Sequence, residues 1–209
     1  VGKITITPNP TSWTNGNVTG TVTYGSTLTN GKKAGYGATA SDAQKAANAN
    51  TATKIVASKN GYFYAEATDA AGNKVTASKQ ITNIDKAVPT VSFNPNGRQY
   101  VIPTGGSNVT LSTVATAADT GGSTLNTIQY AWNTSSTTAP TSWTNFTNGG
   151  TVTRANTTAG TYYLWVKATD KAGNITQKAS GAFVVNANTT EVGKITITPN
   201  PTSWTNGNV

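Results

Sequence analysis

The segment YLWVKATDKAGN (Tyr163–Asn174) has a divergent copy, YFYAEATDAAGN (Tyr62–Asn73), 101 residues earlier in the chain. Each copy is an aromatic-rich run that reaches Ala-Thr-Asp and continues into a turn sequence that ends in Ala-Gly-Asn. Alternating side chains are typical of a half-buried β-strand, and Gly-Asn favours a chain reversal. We therefore predict one β-hairpin in each half of the chain. The predicted turn caps are Asp69 and Asp170, and the predicted left-handed glycines are Gly72 and Gly173.

The composition around these hairpins also favours strands. Threonine, which prefers β-structure, makes up about a fifth of the residues, and Asn-Gly pairs mark tight turns between the runs. One stretch, Ser41–Asn48, has the alanines of a short helix, with Ser41 as its predicted N-cap. We predict an all-β fold with this single helical interruption.

An exact repeat sets the domain organisation. Residues 192–209 reproduce residues 1–18 letter for letter, which gives a period of 191 residues. We interpret the chain as one period of a longer tandem array, long enough for two domains of ordinary size. The predicted boundaries are 1–85 for the first domain, 86–191 for the second, and 192–209 for the first strand and turn of the next repeat.

Three motifs resemble the bacterial immunoglobulin-like (Big-type) repeats of large Gram-positive surface proteins. They are the Ala-Thr-Asp-x-Ala-Gly-Asn hairpin, the Ile-Asp-Lys-x-x-Pro-Thr junction at 84–90, and the strand Ile128–Trp132. The resemblance implies two immunoglobulin-like antiparallel β-sandwich domains in tandem. It also implies an extracellular stalk or fibre, attached to the cell surface or cell wall through regions outside this chain, and some such proteins are adhesins.

Two aromatic residues have structural roles in such a sandwich. Trp132 shares a strand face with Ile128 and Tyr130, and we expect it to be the central core residue. Tyr162, after Ala-Gly-Thr161, stands where a tyrosine corner falls.

Strand parity places another set of aromatics outside. If Leu164, Val166 and Ala168 point inward, their neighbours point out of the second sandwich, and the first sandwich repeats the pattern. The candidate ligand-binding residues are Tyr163, Trp165, Tyr62 and Tyr64. They either stack on a sugar ring or partner protein, or pack against long neighbours on the same sheet.

The turn aspartates raise the question of calcium, which prefers carboxylate and carbonyl oxygens. The weak candidates are Asp69, Asp85 and Asp170. A turn cap is the alternative role for each, because the chain has only seven acidic residues. We therefore expect no cofactor, with calcium as the single exception that the sequence leaves open.

The net charge of +8 does not indicate nucleic-acid binding. The 15 basic residues are scattered, with Lys32-Lys33 the only adjacent pair. A chain without histidine or cysteine and without a nucleophile motif is not expected to be an enzyme. No stretch approaches the length of a membrane span, so we expect no membrane insertion of this segment.

The expected function is therefore that of a structural repeat in an extracellular bacterial surface protein, acting as a stalk or fibre-forming spacer. The alternative is an adhesive module that recognises glycan or host protein through exposed aromatics. Expected partners are the neighbouring repeats of the same chain, other fibres, and cell-wall polymer or host glycan.

Overall fold

The computed structural model describes residues 2–188. The predicted first strand of a following repeat, 192–209, lies outside this range. The first half contains six strands, β1 Ile4–Asn9, β2 Val18–Tyr24, β3 Leu28–Gly37, β4 Lys54–Ala57, β5 Gly61–Asp69 and β6 Lys74–Ile81. They form two antiparallel sheets, ordered β1-β2-β4 and β3-β5-β6, which face each other across one apolar core.

Strand alternation explains the core of this first sandwich. Along β2, Val18 and Val22 are buried between exposed or half-buried threonines, as the period-2 pattern predicts. Between them lies Gly20, where a Cβ would stand 2.7 Å from the ring of Phe63 on the opposite sheet. The glycine therefore lets the fully buried Phe63 ring lie directly against the β2 backbone.

A short helix, α1 Ala40–Lys45, covers the outer face of β3 and β5. Its N-cap is Thr39, which accepts a hydrogen bond from Asp42 N, so the predicted Ser41 cap is wrong. The helix lies close because Gly35 and Gly37 have no side chains: a Cβ on Gly37 would meet Ala43 N at 2.3 Å. This close packing covers part of a sheet face that the sequence analysis expected to be exposed.

In the second half, up to residue 188, the structure shows nine strands. They are β7 Thr90–Asn94, β8 Arg98–Val101, β9 Val109–Ala118, β10 Leu125–Asn133, β11 Thr144–Asn145, β12 Thr151–Thr157, β13 Gly160–Asp170, β14 Ile175–Ala179 and β15 Phe183–Asn186. One sheet has the order β7-β9-β12, and the other has β11-β10-β13-β15-β8 with β14 also paired to β13. All pairs are antiparallel except β8 with β15, which run parallel. The predicted all-β sandwich fold is confirmed.

The two predicted structural aromatics lie at the inner face of this second sandwich. Tyr162 is buried and its hydroxyl donates to Thr158 O at 3.2 Å, so the tyrosine corner is confirmed. Trp132 packs against the apolar core, as expected, although its side chain is half-buried and not fully enclosed. Its ring meets Phe183 edge-on at 5.3 Å and contacts both apolar clusters, because the core is divided in two and Trp132 joins the parts.

Between the sandwiches lies a short segment, residues 82–89, which we call the junction. Among residues 2–188, no strand pairing crosses from one group of strands to the other. No helix in that same range is long and apolar enough to cross a membrane.

Candidate functional site

Three aspartates meet at the junction end of the second sandwich. Asp85 comes from the junction itself, Asp119 from the turn after β9, and Asp170 from the end of β13. One carboxylate oxygen of each lies within 4.8 Å of those of the other two. Asp85 is 3% exposed and Asp170 is 1% exposed, while Asp119 is half-buried. We call these three residues the aspartate cluster.

Backbone N–H groups hold Asp85 in an ionised form. Its Oδ1 accepts from Ala87 N at 2.9 Å, and its Oδ2 accepts from Ser123 N at 2.9 Å. Burial raises the pKa of this carboxyl, but the hydrogen bonds from Ser123 and Ala87 outweigh it, so the pKa lies below its ordinary value. The junction therefore places a negative charge in an almost closed site.

The other two members are fixed by their own turns. Asp170 accepts from Asn174 N at 2.8 Å and from Asn174 Nδ2 at 2.7 Å. Asp119 accepts from Gly121 N at 3.1 Å and from Thr124 N at 2.8 Å. These bonds preset the two carboxylates before any ligand arrives.

A glycine makes the approach of Asp85 to the Asp119 turn possible. A Cβ added to Gly121 would lie 1.8 Å from Asp85 Oδ1. Since Asp85 is buried and accepts two backbone hydrogen bonds, its side chain has little room to move. The junction and the turn therefore fit together only with glycine at this position.

The donor set of the cluster fits a hard divalent cation. Within residues 2–188, the single ion pair joins Lys74 to Glu66, so no lysine or arginine neutralises the three carboxylates by direct contact. Like charges at this separation destabilise one another unless a proton or a cation joins them. Calcium takes about six to eight oxygen ligands and tolerates irregular geometry, which suits carboxylates from three separate segments. Asp85, Asp119 and Asp170 are the residues that would hold it.

The junction also joins the two sandwiches directly. Asn15 N donates to Ala172 O at 3.1 Å, and Lys86 Nζ donates to Asn17 Oδ1 at 3.1 Å. The ring of Trp13 lies 3.7 Å from the point that a Cβ on Gly122 would occupy. The segment 13–17 of the first sandwich thus packs against turns of the second.

Of the three predicted metal candidates, two meet and one does not. Asp85 and Asp170 belong to the cluster, but Asp69 lies in the first-sandwich hairpin, where it accepts from Ala71 N and Asn73 N at 2.9 Å. Asp69 is therefore a turn cap, as the alternative expectation had it. Gly72 and Gly173 have φ of +85° and +90°, which confirms their predicted left-handed conformation.

The sequence interpretation missed Asp119. It lies outside the repeated hairpin, and its counterpart strand in the first half ends without an acidic residue. The signal that points to it is local: Asp119-Thr-Gly-Gly122 is a turn whose glycines admit another chain segment close by.

The predicted exposure of two aromatics is wrong. Trp165 is 7% exposed, and its Nε1 donates to Ser135 O at 2.8 Å, because the connection after β10 covers this face. Tyr64 is also 7% exposed; it contacts Glu66 and lies on the face that α1 partly covers. Tyr62 and Tyr163 are half-buried. The strand parity was right, but period-2 alternation does not reveal what lies over the outer face.

No family model matches the chain, and no curated protein matches it. Two solved structures that it matches are fibronectin(III)-like modules of Clostridium thermocellum CbhA and a marsupial T cell receptor. The first is 15% identical over 88% of this chain and 95% of that chain, with a TM-score of 0.38. The second is 11% identical over 90% of this chain and 74% of that chain, with a TM-score of 0.47. At these identities, neither indicates a ligand or partner, and the immunoglobulin-like sandwich fold of this chain is given by its own strand pairing.

Proposed function

We propose that the chain is a structural unit of an extracellular bacterial surface protein, in which two sandwiches are held end to end as a spacer. The observation that carries this proposal is the set of contacts at the junction. Segment 13–17, the junction and two turns of the second sandwich are joined by hydrogen bonds and by the Trp13 ring. Such contacts oppose bending between the sandwiches, which a spacer requires.

The second part of the proposal is that the aspartate cluster binds Ca²⁺. The ion would neutralise three carboxylates and connect the junction to both turns of the second sandwich. Asn174 supports this arrangement, because its Nδ2 donates to Asp85 O at 2.9 Å as well as to Asp170. Binding to the folded state alone stabilises that state by mass action, so calcium would stiffen the unit and raise its melting temperature.

The exact repeat supports an array of such units. A strand of ten residues spans about 34 Å, so each sandwich adds about 35–45 Å and each unit roughly twice that. In this arrangement the neighbouring repeats are the first partners of each unit, and copy number sets the reach of the protein from the cell.

Small-angle scattering tests the spacer. We would compare the 209-residue chain with a chain of three 191-residue units, each with calcium and with a chelator. We expect the maximum dimension to rise by about 80 Å for each added unit when calcium is present. Three units that stay compact would contradict the proposal.

Calorimetry with matched variants tests the cation. Asp170→Asn should abolish calcium binding, while Asp69→Asn changes the equivalent hairpin of the first sandwich and should leave it intact. Because both variants disturb the same turn motif, a loss in Asp170→Asn alone cannot be ascribed to hairpin disruption. Equal affinity in both variants would eliminate the aspartate cluster as the binding site.

The adhesive alternative has lost part of its basis. Two of its four aromatics are buried beneath other parts of the chain, and only Tyr62 and Tyr163 keep partial exposure. No observation in the described residues favours a sugar-binding face over a covered sheet, so the spacer is the function that we propose.

A further inference from the structure

The two sandwiches have equivalent positions that are identified by their pairing. Thr14 N donates to Asn83 O in the first sandwich, and Ile102 N donates to Asn186 O in the second, so Thr14 corresponds to Ile102. The next residues, Asn15 and Pro103, then correspond as well. This matching allows the end of each sandwich to be compared with the same end of the other.

The exit ends differ in their ability to hold the next sandwich. Asn15 N makes the backbone hydrogen bond to Ala172 O across the junction. Pro103 has no N–H, so the same bond cannot form from the second sandwich. Trp13, which packs against the following sandwich, corresponds to Val101, a smaller side chain that is 61% exposed. At these two positions the second sandwich therefore offers neither the N–H nor the indole ring through which the first sandwich makes its contacts.

The entry ends differ too. Both β1 and β7 end at the Asn of an Asn-Pro pair, and counting back from these pairs aligns Thr5 with Thr90. Thr5 faces Thr23 and Thr90 faces Ala118. The residues that follow these partners are Tyr24 in the first sandwich and Asp119 in the second.

Tyr24 cannot replace Asp119 as a cation ligand in its present position. Its hydroxyl donates to Ala52 O at 2.8 Å, and Lys32 Nζ lies 5.4 Å from the centre of its ring. The hairpin aspartate at this entry end, Asp69, is more exposed than Asp170 and bonded within its own turn. In the sequence, Glu191 precedes Asn200 by the same number of residues as Asp85 precedes Asn94. The contact between units therefore has acidic residues equivalent to Asp85 and Asp170, but none equivalent to Asp119.

We propose that the array is jointed: sandwiches within a unit are locked at the junction, whereas consecutive units meet without that lock and bend relative to each other. This inference rests on the spacer proposed above and divides it into two-sandwich segments. It also fixes the calcium stoichiometry at one ion per 191-residue unit. The bending points recur at every second contact between sandwiches.

The absence of cysteine in the sequence makes a distance experiment direct. In a two-unit chain, cysteines at the exposed Lys54 and Thr147 carry a donor and an acceptor dye. Placed in the same unit, the dyes span the junction. With Thr147→Cys in the first unit and Lys54→Cys in the second, the same two positions span the contact between units.

With calcium, we expect a narrow distance distribution across the junction and a broad one between units. Asp170→Asn should broaden only the first, and Asp69→Asn should change neither. Calorimetry should give two ions per two-unit chain.

The outcomes separate the two proposals. If both distributions are narrow, or if four ions bind, the jointed array is wrong while the spacer stands. If both are broad, the locked junction itself is wrong and the spacer fails. If no calcium binds but the two distributions still differ, the joint is supported and the cation site is eliminated.

Discussion

Asn174 joins two parts of the chain that are 89 residues apart: its Nδ2 donates to Asp85 O at 2.9 Å and to Asp170 Oδ2 at 2.7 Å. The residue is 7% exposed, so water cannot easily replace these bonds. One amide therefore connects the junction to the hairpin that the sequence repeats in both halves.

Replacing this amide should destabilise the protein. We expect Asn174→Ala to lower the free energy of unfolding of the second sandwich by about 1–3 kcal/mol, because buried acceptors lose their donor. Asn73→Ala is the control, since Asn73 occupies the same hairpin position but is exposed. Urea unfolding of both variants checks this, and an equal loss in the two would contradict a special role for Asn174.

Gly121→Ala should separate the junction from the Asp119 turn. The added methyl would overlap with Asp85 Oδ1, and we expect a loss of about 1–3 kcal/mol together with weaker calcium binding. Thr120→Ala is the control, because Thr120 is the exposed neighbouring residue of the same turn. Thermal unfolding and calorimetry measure the two effects. If Gly121→Ala were as stable as wild type, the turn would be able to move away from Asp85 without cost, and the close approach would not require glycine.

Trp165 should act as a packing residue. We expect Trp165→Ala to cost about 3–5 kcal/mol, while Tyr163→Ala, at a half-buried position beside it, costs clearly less. Chemical denaturation followed by far-UV circular dichroism compares them. If Trp165→Ala kept wild-type stability and lost a glycan binding that the wild-type protein shows, the adhesive function would be supported instead.

Glu66 should make stability depend on pH. The ion pair between Lys74 Nζ and Glu66 Oε2, at 2.6 Å, lowers the pKa of Glu66, although burial raises it. A depressed carboxyl pKa stabilises the fold above the unfolded value near 4.5, and this contribution disappears as pH falls through the folded value. Glu66→Gln should therefore be less stable than wild type at pH 6, with the difference shrinking towards pH 2. Denaturation across this range measures it, and a constant difference would exclude the ionic contribution.

The neighbouring Tyr64 has the opposite dependence. Burial, and then its hydrogen bond to Glu66, raise its pKa to about 12. Its contribution is present below pH 10 and is lost as pH rises from 10 towards 12. Tyr64→Phe should remove the most alkaline step from the tyrosinate absorbance titration of the chain, and an unchanged titration would contradict this assignment.

The hairpins, the tyrosine corner and the sandwich were predictable because they depend on local patterns. Gly72 and Gly173 lie in short turn signatures, and Tyr162 lies at the start of the strand Gly160–Asp170. The covers over Tyr64 and Trp165 were not predictable, because helix α1 and the segment after β10 approach from other parts of the chain.

The aspartate cluster was predictable only in part, because its third member comes from a distant part of the chain. Asp170 lies in the repeated hairpin and Asp85 in the junction motif, whereas Asp119 joins them only through the way in which the turn after β9 folds against the junction. Sequence spacing does not encode that approach. The half-buried Asp69 and the buried Asp170 likewise differ in surroundings and not in motif.

The parallel pairing of β8 with β15 determines how the second sandwich responds to force. Tension on the chain ends pulls these two strands in opposite directions along their length, so their four residue pairs bear the load together in shear. The first sandwich has at this position a single backbone bridge, between Thr14 and Ile84, with two hydrogen bonds from the Asn83 side chain beside it. We expect the first sandwich to unfold at lower force, so that single-molecule pulling of one repeat gives two separate extensions. In a stretched stalk, one sandwich per repeat would then unfold and absorb the applied work while the other stays folded.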